Sequence, residues 1–140
     1  MKKYFLDTCI WRDFYENRID FSGKPLGDLA AALIIKITKT KNTIIFSETL
    51  FWELKKDYSL FEVENMLNFL FISGVLKKVE ITKKEYLDAK MLAEKKNIPF
   101  VDCLNAIQAR NHEAVMISRD KHFFENLSNI VETKRPEDII

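Results

Sequence analysis

Glycine and proline are scarce in this chain, three of each in 140 residues. A barrel or sandwich dense in turns needs more of both, so the sequence points to long helices with few connections. Cysteine is rarer still. Cys9 and Cys103 are too few for a disulfide scaffold or a cysteine-rich zinc site, and pairing them with Asp7 and Asp102 lacks the tight spacing of structural zinc. Charge of one sign is also missing: Lys+Arg 22 against Asp+Glu 21 leaves +1. No global field therefore draws the protein to nucleic acid or an acidic membrane, and any basic binding surface must be local. No apolar run approaches the ~20 residues that span a bilayer; the greasiest stretch, Leu67 to Val75, is interrupted by Asn68 and Ser73. The amino terminus reaches Asp7 after only three apolar residues, unlike a signal peptide. A soluble cytoplasmic protein is expected, with no membrane contact.

What is present is a balance of 47% hydrophobic and 31% charged residues, a globular composition. A chain of this length buries ~70% of its unfolded surface and folds without a metal or disulfide. Residues 1–140 read as one domain, with no repeat or linker. Runs of β-forming residues recur at Tyr4–Leu6, Thr43–Phe46, Ala114–Ile117 and Asn129–Glu132, with a weaker edge candidate at Lys78–Ile81. The inner runs are continuously apolar, as in parallel strands covered on both faces. Helical patterns lie between them at Leu26–Thr40, Ser47–Tyr58, Leu60–Ser73, Thr82–Lys96 and Phe100–Asn111. The alternation predicts a three-layer α/β/α sandwich around a central, mainly parallel sheet of four to five strands.

Open sheets of this kind bind ligands beyond the carboxyl ends of their strands. Asp7 follows the first strand, Glu53 sits in the helix after the second, Asp102 opens the helix before Ala114–Ile117, and Asp120 follows that strand. Each acid has an ordinary explanation as a cap, a first-turn residue or a solvated side chain. Asp7 and Asp120 are harder to dismiss together, because a parallel sheet brings strand ends close. Clustered carboxylates repel unless a cation neutralises them. Oxygen donors without clustered His or Cys favour a hard ion, Mg²⁺ or Mn²⁺, and the matching chemistry is metal-assisted phosphodiester hydrolysis. No phosphate loop forms from Gly23, Gly27 and Gly74, no Gly-x-Ser-x-Gly pattern occurs, and Cys9 stands where an aspartyl phosphatase carries its second acid.

Four segments then acquire a common meaning. FLDTCIW, IIFSETLFWEL, IPFVDCLNAIQAR and VMISRDKHF resemble, in order, the motifs of the PIN-domain ribonucleases, above all the toxins of VapBC toxin–antitoxin systems. The closing ETKRPEDI is similar to the terminal strand and proline that end many members. The resemblance covers essentially the whole chain. It implies a PIN fold, a divalent-ion site of Asp7, Glu53, Asp102 and Asp120, and hydroxyls of Thr8 and Ser118 that orient carboxylates or water. It also implies an RNA substrate, homodimerisation and an antitoxin protein crossing the active-site groove. An RNA-processing nuclease without an antitoxin, or an inert PIN-like module binding RNA or protein, are the alternatives.

Several side chains stay open between two roles. Glu48 competes with Glu53 for the second acid position, although its place at the helix start also suits the dipole. Asn105, three residues after Asp102, lies on the same helical face and could bond a carboxylate or water; otherwise it is a half-exposed polar residue. Arg12, Arg119 and Lys121 adjoin the acids and could hold substrate phosphates, or they are plain surface charges. Trp11 and Phe123 could stack RNA bases, with packing the commoner use for Phe123. His112 and His122 show no nucleophile–base arrangement and receive no catalytic role. The segment Leu60 to Ser73 is apolar round more than one face, which suits part core and part interface.

Overall fold

A computed structural model describes residues 1–140. The chain begins with β1 (Lys3–Leu6), α1 (Thr8–Glu16), α2 (Leu26–Lys39), β2 (Thr43–Phe46), α3 (Glu48–Leu54), α4 (Leu60–Ile72) and β3 (Leu76–Lys78). It continues with α5 (Lys83–Lys96), α6 (Phe100–Asn111), β4 (Val115–Ile117), α7 (Lys121–Glu125), β5 (Thr133–Lys134) and α8 (Pro136–Ile139). The five strands form one sheet in the order β3-β2-β1-β4-β5, and every pairing is parallel. This is the expected α/β/α architecture, with no antiparallel member.

Strand alternation divides the core. Tyr4, Leu6, Ile44 and Phe46 face one side, where they pack with Ile10, Trp11, Leu33, Ile37, Leu54 and Leu67 from α1 to α4. Phe5, Ile45 and Met116 face the other and meet Ala89, Leu104, Ile107 and Phe123 from α5, α6 and α7. Covering both faces explains why the strands carry no polar alternation. From central β1 the chain first builds outward through β2 to β3, then returns to place β4 on the other side of β1. Strand order therefore reverses between β1 and β4, the switch point beyond whose carboxyl ends open parallel sheets bind ligands.

Helix starts follow local chemistry. Ser59 with Glu62, and Thr82 with Glu85, close capping boxes at α4 and α5. With little glycine available, Asn17 and Asn97 take the left-handed conformation that ends α1 and α5, at φ 50° and 53°. Three expected boundaries move. The strand expected at Asn129–Glu132 forms instead at Thr133–Lys134, because Leu127 and Val131 turn inward onto the second core before pairing begins at Met116↔Thr133. The edge strand expected at Lys78–Ile81 starts earlier, at Leu76, directly after the turn at Gly74 (φ 77°). The helix expected to run to Tyr58 stops at Leu54, and turns lead to the Ser59 cap. On α4, Val63, Met66, Leu67 and Leu70 are buried while Leu60, Phe61, Phe69 and Ile72 stay exposed, so the segment is part core and part free apolar face.

Gly27 is required by a close approach. A Cβ there would stand 2.5 Å from the Cα of Asn17, whose region is also held by the Gly27 N–H bond to the Arg18 carbonyl at 2.9 Å. Gly27→Ala is expected to destabilise the fold by about 1–3 kcal/mol, seen as a lower urea midpoint with an unchanged m-value.

Candidate functional site

Leu6 pairs with Ile117 in the β1–β4 ladder, and the Asp7 N–H continues it to the Ile117 carbonyl at 2.9 Å. That register sets Asp7 beside Ser118. Asp7 is the N-cap of α1, accepting from the Thr8 N–H at 2.9 Å, while its other oxygen accepts from the Ser118 hydroxyl at 2.8 Å. The same Ser118 oxygen accepts from the Asp120 N–H at 3.0 Å. One buried hydroxyl thus ties two acids to the ends of two strands. Thr8, from the first turn of α1, donates its hydroxyl to Glu53 of α3 at 2.9 Å.

Asp102 enters from the first turn of α6. Asp120 caps α7 by accepting from the His122 N–H at 2.9 Å, which turns the His122 ring back over the rim. Its Nδ1 lies 3.2 Å from Asp102 and 3.8 Å from Asp120. Donor atoms of Asp102, Asp120 and His122 fall within 4.8 Å of one another. His122, given no role from sequence, is the residue that reading overlooked; its available signal was its spacing of two from a helix-capping acid.

The carboxyls feel both burial and one another. Burial raises Asp7 to about 6, against the bonds from Ser118 and Thr8 that lower it, with Glu53 adding repulsion. Burial raises Asp102 to about 7, and the fields of Asp7, Asp120 and Glu53 push the same way. All four acids therefore share one electrostatic neighbourhood at the switch point of the sheet. Removing several carboxylates from water side by side is costly without a cation. The donor set, carboxylate oxygens with one imidazole nitrogen, fits a divalent ion. The largest cleft, about 430 Å³, opens elsewhere, at the amino ends of β1 and β2 among Lys2, Tyr4, Lys36 and Asn42.

This rim of acids occurs in a sequence whose residues 4–128 match the PIN domain. The chain belongs to the PIN domain family. PIN domains are nucleases, and this one gathers Asp7, Glu53, Asp102 and Asp120 at one rim of its sheet. No curated protein matches its sequence. Its fold is similar to a chain of VapBC2 from Rickettsia felis bound to a DNA fragment from their promoter, at 19% identity and TM-score 0.64, covering 95% of this chain and 98% of that one. It is also similar to a chain of a toxin–antitoxin complex from Klebsiella pneumoniae (13%, TM-score 0.65, 95% and 97% covered). A third such chain comes from DNA-bound VapBC of Salmonella typhimurium (16%, TM-score 0.64, 97% and 99% covered).

Other candidate residues of this PIN domain lie in different surroundings. Glu48 pairs with Lys78 at 2.6 Å, half-exposed, so Glu53 is the acid that faces Asp7. Asn105 is buried, and its carbonyl oxygen accepts from the Thr49 hydroxyl at 2.7 Å, so it braces α6 against α3 instead of touching a carboxylate. Arg12 pairs with Asp57 and donates to the Glu53 carbonyl at 3.1 Å. Arg119 forks onto Glu137 at 3.0 and 2.8 Å, with buried Asp13 at 3.6 Å. Both guanidiniums are committed to the protein. Lys121 is exposed and has no ion-pair partner. Trp11 and Phe123 are fully buried core residues and cannot stack bases as the sequence allowed. Cys103 is buried in the second core; Cys9 reaches Asp7 at 3.5 Å, and burial with the Asp7 charge pushes its thiol up, away from ligand chemistry.

The raised carboxyls set a pH dependence. Asp7 and Asp102 keep their protons in the folded chain well above the pH at which they ionise unfolded. Without metal, the folded state thus binds more protons between about pH 4 and 7, and stability falls as pH rises through that window. Asp102→Asn is expected to raise the thermal midpoint of chelator-treated protein at pH 8, the gain shrinking toward pH 4. Thermal melts across pH check this.

Proposed function

We propose that this PIN domain is a divalent-metal-dependent ribonuclease and the toxin of a toxin–antitoxin pair. The observation carrying the activity is the convergence of Asp7, Glu53, Asp102 and Asp120 on one rim, where burial and mutual repulsion lift two of them toward neutrality. These four would hold Mg²⁺ or Mn²⁺. When bound, such an ion would neutralise the carboxylates, activate water and stabilise charge on a phosphoryl oxygen.

The remaining tasks fall to the chain. Ser118 holds one oxygen of Asp7 and the backbone of Asp120, so the two strand-end acids cannot swing apart independently. Thr8 performs the same service for Glu53 across the α1–α3 gap. Arg12 pins the end of α3 through the Glu53 carbonyl and Asp57, which steadies Glu53 from its backbone side. Lys121, free and exposed next to Asp120, is the cation suited to a substrate phosphate. Arg12 and Arg119 would meet phosphate only by exchanging their present partners.

The toxin reading draws on the complexes to which the fold is similar, and on surface that looks built for protein. The exposed side of α4 presents Leu60, Phe61, Phe69 and Ile72. Next to it a cleft of about 330 Å³ lies between α1, α2 and α4, lined by Phe14, Ile34, Ile35 and Phe69 with almost no polar surface. An antitoxin segment and a second copy of the chain are the proposed occupants of such faces. No helix is long and apolar enough to cross a membrane.

Cleavage of a single-stranded RNA panel, with Mg²⁺ or Mn²⁺ against chelator, tests the reading. Wild type should cut only with metal, Asp7→Asn and Asp102→Asn should fall to background, and Thr8→Val should lose roughly 10–100-fold. Equal cutting by the variants would place the activity in a contaminant or at a different site. RNA binding without metal-dependent cutting would make the chain an inert module.

A further inference from the structure

We propose that His122 is itself a metal ligand through Nδ1, giving this site a nitrogen donor that favours a first-row transition ion such as Mn²⁺ over Mg²⁺. The inference rests on the metal-dependent reading above and adds a residue and an ion preference to it.

Three observations support it. Backbone geometry aims the ring: the His122 N–H caps onto Asp120 at 2.9 Å, and the side chain then returns toward the carboxylates instead of into solvent, with 28% of it exposed. The spacings suit shared coordination. On an ion with bonds of about 2.1 Å, neighbouring donors stand ~3 Å apart and opposite donors ~4 Å; His122 Nδ1 lies 3.2 Å from Asp102 and 3.8 Å from Asp120. Finally, no competing protein group claims the nitrogen. Its neighbours at that distance are only the two acids, themselves ligand candidates.

Ring chemistry defines two arrangements. With its proton on Nδ1, His122 donates to Asp102 and merely orients it. With its proton on Nε2, an Nδ1 lone pair faces the carboxyl oxygen at 3.2 Å, and two electron-rich atoms so placed need a proton or a metal cation between them, the place a bound ion would take. Imidazole adds little for Mg²⁺, which prefers oxygen and keeps its waters, and more for transition ions. The only other histidine, His112, ends α6 just before β4, at the amino end of a strand whose carboxyl end bears the site. A histidine nitrogen signal at the metal therefore belongs to His122.

Pulsed EPR of Mn²⁺-loaded protein reads this directly, without RNA. Wild type should show imidazole ¹⁴N coupling, lost in His122→Gln and His122→Ala, whose thermal melts confirm folding. Competition titrations should show Mn²⁺ affinity falling by roughly 10–100-fold in those variants with Mg²⁺ affinity little changed. Mn²⁺ bound in a manner abolished by Asp102→Asn but without imidazole coupling would overturn the proposal and leave the carboxylate site standing. Coupling that survives His122→Ala would also overturn it. Failure of wild type to bind Mn²⁺ at all would remove both this inference and the metal-dependent reading.

Discussion

The acid rim depends on the parallel alignment of β1 with β4. Because Leu6 stands opposite Ile117, the next residue of each strand emerges at the same height, and the Ser118 hydroxyl reaches Asp7 at 2.8 Å. A register slip of one residue would turn every side chain of the strand to the other face. It would misplace Tyr4 and Leu6 from one core and Phe5 from the other. The two cores thus enforce the register, and the register assembles the acids. The gathering of the acids is a by-product of packing on both sides of the sheet.

That assembly works against stability. Four acids held close, with Asp7 and Asp102 raised to about 6 and 7, place like charges where water cannot screen them fully. The fold offsets this with ordinary devices put to double use. Asp7 and Asp120 are N-caps, so the helix ends they satisfy also fix their orientation. Cap and functional acid looked like rival explanations in the sequence. In the structure Asp7 and Asp120 are both caps, and the same bonds set where their other oxygens point.

The arginines show a parallel economy. Arg119 sits between Ser118 and Asp120, yet its guanidinium points to Glu137 of α8. Burial alone would push Glu137 up, but the bonds from Arg119 and Lys24 bring it down to about 2. The rim segment is thereby clamped to the carboxyl-terminal helix, and through Asp13 to α1. Arg12 clamps α3 in the same manner. Cations adjacent to acids in sequence serve here to hold backbone, leaving Lys121 for solvent-facing work.

The apolar runs of β1, β2 and β4 are continuous, which only a two-sided burial permits, so the layered architecture was legible from the residues. So were Asp7 and Asp120, since acids that end buried strands of a parallel sheet must gather at one edge. Asp102 and Glu53 were legible through the resemblance of their segments. Spacing along the chain could not tell Glu53 from Glu48: both lie on the same short helix, and only the Thr8 hydroxyl on one side and Lys78 on the other separate them. Nor could it show Asn105 buried against Thr49, Trp11 enclosed in the core, or His122 folded back over Asp102. Sequence by itself determined which residues are apolar, the order and type of the main helices and strands though not the bounds of β3, α3 and β5, and which acids end up at the strand tips, because those follow from local periodicity and capping. Tertiary structure alone decided which polar groups meet, because hydrogen bonds and ion pairs form across elements whose side-chain directions no local pattern specifies.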